Sequence, residues 1–220
     1  MTESYPQRGF VPPPDAVEVV LVRHGASIAA VPGEPFPMVD GHGDPPLAPE
    51  GLRQAEAVAE RLAGESLAGI FVSGLRRTAQ TAAPLAERVG IEPVVVPELR
   101  EVNLGDWEGG ELRIRVAHRD PIAMRVLAEE RWDLIPNAEP MEELARRVRT
   151  GLERVIEALG PGGTGVAFLH GGVIGELCRQ ATASRPFAFV HSDNASITRL
   201  VVLADGRWML RSFNDSAHLA

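Results

Sequence analysis

Val17-Glu18-Val19-Val20-Leu21-Val22, followed at once by Arg23-His24-Gly25, is the stretch on which the fold turns. Apart from Glu18 it is β-branched or leucine, and it has the length of a buried strand. It ends abruptly in a basic residue, a histidine and a glycine. Two later segments repeat this plan. Gly69-Ile70-Phe71-Val72 ends at Ser73, just before Arg76-Arg77, and Val166-Ala167-Phe168-Leu169 ends at His170-Gly171-Gly172.

Helical patterns lie between the strands. Pro49-Glu50 opens a helix with Leu52, Ala55, Ala59 and Leu62 as its apolar face, stopped at Gly64. Residues 76–89 read as a second helix, with a kink or a lost hydrogen bond predicted at Pro84. Residues 93–96 read as a strand and 112–131 as one helical segment. Met141, Leu144, Ala145, Val148, Leu152, Val155, Ile156 and Leu159 form the clearest amphipathic stripe. A helix over 173–181 comes after the third strand. Residues 197–203 and 208–213 flank Asp205-Gly206, a hairpin signal. The alternation predicts an α/β fold: a single domain over residues 17–220, its mainly parallel central sheet covered by helices on both faces. Residues 1 to about 16, rich in proline and polar side chains, read as a disordered tail. Residues 29–49 read as a long irregular loop, a length that is usually functional.

Composition removes several classes of function. The 220 residues suffice for a sizeable core without staples. The single cysteine, Cys178, excludes an internal disulfide framework and a zinc site built on thiolate pairs. No apolar run approaches the ~20 residues of a membrane span, and the first residues lack the apolar core of a signal peptide. A cytoplasmic protein with no membrane partner is expected. A net charge of -8 argues against bulk nucleic-acid binding. The 22 basic residues are all arginine, so Schiff-base and P-loop lysines are excluded. Every fixed positive charge is thus a planar guanidinium suited to phosphate or carboxylate.

In open α/β sheets, ligands sit outside the carboxyl ends of the strands. The three strand ends therefore gather two histidines and two or three arginines on one rim. Two of them lead into helix N-termini, whose free N–H groups favour anions. Arg76 and Arg77 oppose the local helix dipole, a conflict that a bound anion would remove. A phosphate pocket follows from these features. Other motifs fail on context. Gly160-Pro161-Gly162-Gly163-Thr164-Gly165 comes after a helix and precedes a strand, the reverse of the dinucleotide-binding order. His42-Gly43-Asp44 has no further His/Asp cluster near it in sequence to make a metal site. Cys178 lies in a predicted helix and reads as a small core residue.

Four segments, in order, resemble the histidine phosphatase superfamily, the phosphoglycerate-mutase-like enzymes. They are Arg23-His24-Gly25; the Ser73–Ala82 segment with Leu75, Arg77, Gln80 and Thr81; Leu99-Arg100-Glu101 through Gly105, Trp107, Glu108 and Gly109; and His170-Gly171-Gly172. Asp44-Pro45-Pro46-Leu47 and Asn194-Ala195-Ser196-Ile197 are weaker echoes. The pattern departs at Ala26, Ala30 and Gly74, where the family often has other residues, and Asn137-Ala138-Glu139-Pro140 is only loosely similar to its G-G-E-S.

The resemblance implies a phosphoglycerate-mutase-like fold and a phosphohistidine mechanism. His24 would be the nucleophile, and Arg23, Arg77 and His170 would hold the phosphoryl oxygens. Ser27 and Gly171 would add phosphate contacts. Glu101 would be the general acid and then the base, giving an acidic to neutral optimum, with Glu108 as the competing carboxylate. Family spacing selects Arg77 over Arg76. No metal and no organic cofactor is implied. The expected partner is a small phosphorylated metabolite, and a homodimer stays open. Hydrolysis is favoured over phosphoglycerate mutation, because the mutase pattern E-R-x-Y-G is replaced by Glu101-Val102-Asn103-Leu104-Gly105. A phosphate-binding protein without turnover ranks last.

Overall fold

A computed structural model describes residues 4–220. In chain order it contains β1 (Val17–Arg23), β2 (Met38–Val39), β3 (His42–Gly43), α1 (Pro49–Leu62), β4 (Gly69–Val72), α2 (Arg76–Val89) and β5 (Val94–Val95). Next come α3 (Glu111–Ala117), α4 (Pro121–Glu129), α5 (Met141–Leu159), β6 (Thr164–Leu169), α6 (Gly171–Thr182), β7 (Ile197–Val202) and β8 (Trp208–Asp215).

The described residues form a six-stranded sheet in the order β5-β4-β6-β1-β7-β8. The pairings β5-β4, β4-β6 and β6-β1 are parallel; β1-β7 and β7-β8 are antiparallel. The fold is thus the expected single α/β domain with a mainly parallel sheet. Side chains alternate along β1. Val17, Val19 and Leu21 join a core with Leu144, Val148 and Leu152 of α5 and Ile174 of α6. Val20 and Val22 join the opposite core with Val58 and Leu62 of α1 and Leu85 of α2. Both faces are covered, which is why the strand from Val19 to Val22 reads as an unbroken apolar run.

Register sets up the site. Arg23 of β1 lies opposite Leu169 of β6, and Val72 of β4 lies opposite Phe168. The next residues, His24, His170 and Ser73, therefore emerge side by side at the carboxyl edge of the sheet.

Several local expectations change. Leu52 is exposed, because the buried stripe of α1 runs through Gly51, Ala55, Val58, Ala59 and Leu62. The loop over 29–49 contains the short hairpin β2-β3. The strand expected over 93–96 shrinks to Val94–Val95 at the sheet edge. The segment 112–131 is two helices. Asp120 accepts from the N–H groups of Ile122 and Ala123, and Pro121 occupies the first turn, so α4 starts anew there. Pro84 lies inside α2 without ending it. Helix α6 begins at Gly171, directly after His170. Residues 4–13 form neither helix nor strand, and Phe10 lies under the Arg211 guanidinium at 4.2 Å from the ring centroid. The first three residues of the expected tail lie outside the described residues.

Candidate active site

A cavity of about 260 Å³ opens at the carboxyl edge of the sheet. Arg23, His24, Arg77 and Glu101 line it, with Phe36, His42, Trp107, Glu108 and Arg113 among the other walls. A larger hollow of about 550 Å³ lies at the other end of the sheet, beside Asp15, Arg149, Glu153 and Trp208. It has no strand-end histidine, so the smaller cavity is the candidate site.

His24 is 5% exposed. Its Nδ1 lies 2.8 Å from the Gly25 carbonyl oxygen. A carbonyl can only accept, so Nδ1 carries the proton. Burial, and then the positive charges of Arg77 and Arg23, hold the His24 pKa well below the usual histidine value. The ring is therefore neutral, and Nε2 keeps its lone pair. The loop carrying His24 is pressed against α1. A Cβ on Gly25 would sit 2.5 Å from the Gly51 carbonyl oxygen, and one on Gly51 would sit 2.1 Å from that of Ala26. Asn194 Nδ2 donates to the His24 carbonyl at 2.9 Å, which gives its weak sequence echo a structural use.

His170 is fully buried and meets the His24 ring edge to face, with centroids 5.2 Å apart. Its Nε2 is 2.8 Å from Ser73 Oγ, while Nδ1 has no protein partner among the described residues. Burial first, then Arg77, lowers its pKa well below normal. Arg23 Nη1 donates to the Ser192 carbonyl, and its buried Nε is likewise unpartnered among the described residues. Arg77 is 7% exposed and donates from Nη1 to the Gly43 carbonyl at 2.9 Å. Arg76 faces solvent, and only its backbone N–H is tied, to Asp44. Burial lowers the pKa of Arg23 and of Arg77, with Glu101 opposing the shift in each.

Glu101 accepts from the N–H of Val102 at 2.9 Å and of Gly172, in the first turn of α6, at 3.2 Å. Glu108 accepts from Gly43 N–H at 2.7 Å and Leu104 N–H at 2.9 Å, tying β3 to the segment after Glu101. Ser27 and Gly171 lie outside the cavity lining, and Ser27 Oγ accepts from Arg113 at 2.8 Å. Arg113 and His42 are cavity residues that the sequence reading did not select. For Arg113 no local signal existed, since it is one of several arginines in a charged helical segment. His42 carries in sequence only the signal of a potential metal ligand. Among the described residues there is no group of three or more His, Cys, Asp or Glu able to hold a metal. Cys178 is buried in the core, its thiol pKa pushed up to about 12 by burial.

A strand-end histidine, two buried arginines and a carboxylate line one anion-seeking cavity, and His170 lies behind the His24 ring, outside the lining. Residues 19–216 match the histidine phosphatase superfamily (branch 1), and the chain belongs to that family. It is a phosphoric monoester hydrolase of the histidine phosphatase type. A probable phosphoglycerate mutase of Yersinia enterocolitica is 31% identical over 92% of this chain and 95% of the relative. A mycobacterial glucosyl-3-phosphoglycerate phosphatase, solved with inorganic phosphate, is 29% identical and superposes with a TM-score of 0.72 over 92% of this chain and 99% of the other. A phosphoglycerate mutase from Bacillus anthracis shares the fold at a TM-score of 0.78 and 23% identity, covering 93% and 96% of the two chains. No helix among the described residues is long and apolar enough to cross a membrane.

Proposed function

We propose that this enzyme hydrolyses a small phosphomonoester through a phosphohistidine on His24, in the cytoplasm and without a metal, with residues 17–220 as the catalytic domain. The observation that carries the reading is the protonated Nδ1 of His24, bound to the Gly25 carbonyl, which leaves Nε2 basic beside Arg23, Arg77 and His170.

In the first step Nε2 forms an N–P bond, and the P–O bond to the leaving group breaks with its electron pair going to oxygen. Protonated Glu101 donates its proton to that oxygen, and the alcohol departs. In the second step Glu101, now a carboxylate, takes a proton from water as the water oxygen attacks phosphorus. The N–P bond breaks, orthophosphate leaves, and Glu101 is again protonated. Arg23 and Arg77 stabilise the charge shifting over the phosphoryl oxygens. His170 joins them if Ser73 Oγ–H donates to its Nε2, since its Nδ1–H then faces an acceptor. Gly171 and Ser27 complete the proposed phosphate contacts from the start of α6 and the loop after His24.

The alternative is phosphoryl transfer within a sugar acid, which the name of the Yersinia relative favours. Against it, Val102 and Leu104 line the cavity and bring apolar side chains, not the Arg and Tyr of the mutase pattern. The test is phosphate release from p-nitrophenyl phosphate and a panel of sugar, glycerate and nucleotide phosphates, with EDTA present, for wild type and His24→Ala. Turnover lost in His24→Ala supports hydrolysis. Interconversion of phosphoglycerates without phosphate release selects the mutase.

A further inference from the structure

We propose that Arg113 forms a subsite for a second negative group, a carboxylate or a phosphate, carried by the leaving group of the substrate. The proposal rests on the phosphatase reading of the adjoining site.

Arg113 reaches the cavity from α3. Its Nη1 donates to the Ile28 carbonyl at 3.0 Å and its Nη2 to Ser27 Oγ at 2.8 Å. The guanidinium lies over the Phe36 ring, 5.4 Å from its centroid. All three partners are neutral. Of the other arginines in the same region, Arg115 pairs with Glu111 and Asp120, Arg125 with Glu129 and Arg131 with Asp133, while Arg119, outside the cavity lining, has no ion pair among the described residues. Among the described residues Arg113 has no carboxylate partner. Five N–H donors in a planar fork, two of them used to fix its plane, leave three for a ligand.

Charge balance points the same way. Arg23 and Arg77 face the phosphate of a monoester, with Asp44 3.9 Å from Arg77. The cavity carboxylates, Glu101 and Glu108, are each held by two backbone N–H groups rather than by Arg113. A third guanidinium is thus held beside two others with no carboxylate in contact with it; burial and then repulsion from Arg23 lower its pKa. It stands by Phe36 and the 27–28 loop on the cavity wall, within reach of a substituent of the leaving group. A ligand anion there gains charge-assisted, bidentate contacts.

The competing role is a clasp that only fastens α3 to the 27–28 loop. The experiment compares kcat/KM for two matched pairs, 2-phosphoglycolate against ethyl phosphate and glucose 1,6-bisphosphate against glucose 6-phosphate. Wild type, Arg113→Gln and Arg113→Lys are run together. Wild type should prefer the charged member of at least one pair by about tenfold or more. Arg113→Gln should bring that ratio near unity, mainly through KM, and Arg113→Lys should restore part of it. The responding pair tells carboxylate from phosphate. A ratio equal within about twofold in wild type and Arg113→Gln for both pairs overturns the subsite in favour of the clasp. If no ester turns over, calorimetric binding of the same pairs to His24→Ala, with and without Arg113→Gln, decides the point. A charged-ligand preference lost with Arg113 upholds the subsite while hydrolysis fails; no preference overturns the subsite.

Discussion

Arg147 Nη2 donates to the main-chain carbonyl of Glu101 at 2.9 Å, and His42 Nε2 lies 3.2 Å from the same oxygen. Arg147 also donates from Nη1 to the carbonyls of Glu98 and Arg100, and from Nε and Nη2 to the Glu139 carboxylate. Glu139 in turn accepts from Asn103 N–H. One guanidinium on α5 therefore holds the irregular segment that carries the proposed acid. The pair is largely buried, with side chains 16% and 9% exposed.

Arg147→Met leaves Glu139 unpaired and these carbonyls without their donor. Breaking one side of a buried pair costs about 3–5 kcal/mol, so urea unfolding should show a loss of that size. Adding Glu139→Gln should recover part of it. No loss beyond about 1 kcal/mol would mean that water replaces the guanidinium at little cost.

Glu101→Gln should lower kcat by about a hundredfold or more with alkyl phosphates. The loss should shrink with p-nitrophenyl phosphate, whose leaving oxygen needs less protonation. Glu108→Gln keeps one acceptor oxygen but faces a backbone N–H with an NH₂ group. Its effect should fall on stability, by about 1–3 kcal/mol, and should not depend on the leaving group. Steady-state kinetics across leaving groups, with thermal melts, separates the two.

Arg77→Ala should cost about 3 kcal/mol of barrier, roughly a hundredfold in kcat or more, by analogy with loss of an oxyanion-hole donor. Arg76→Ala, on the solvent side, should change kcat by less than about twofold. Reversal of the two phenotypes would show that the register of α2 relative to the cavity is misread.

His24 and His170 both have lowered pKa values in the folded chain, so the unfolded chain binds more protons below its ordinary histidine pKa of about 6.5. Stability should therefore be fully present above that value and fall as the pH drops through and below it, each histidine adding a slope of up to about 1.4 kcal/mol per pH unit. Urea midpoints between pH 7.5 and 5 should decline, and less steeply in His24→Asn.

Gly51→Ala should separate α1 from the His24 loop, since its Cβ would overlap the Ala26 backbone. Overpacking typically costs about 1–3 kcal/mol, and here kcat should fall with it because the displaced loop carries the nucleophile. Thermal melts with assays of the variant test both effects.

The long strands of the main sheet, helices α1, α2, α5 and α6 and the residues at the strand ends were legible in the chain, because they depend on local apolar periodicity and on the polar residues that terminate each run. Where His24, Arg77, Glu101 and His170 stand was inferable from motifs of consecutive residues. The proximity of His24 to His170 came from parallel register, Arg23 opposite Leu169, which no local pattern reports. The contact of the exposed Arg113 with Ser27, the backbone contact of Gly25 with Gly51 and the hold of Arg147 on Glu101 join residues distant in sequence. The exposure of Leu52 likewise depended on which face α1 turns to the sheet. Composition and periodicity specify which residues prefer to be buried and which are charged. Only the packed chain decides which of those charges are left without a carboxylate partner, as Arg23 and Arg113 are at this cavity.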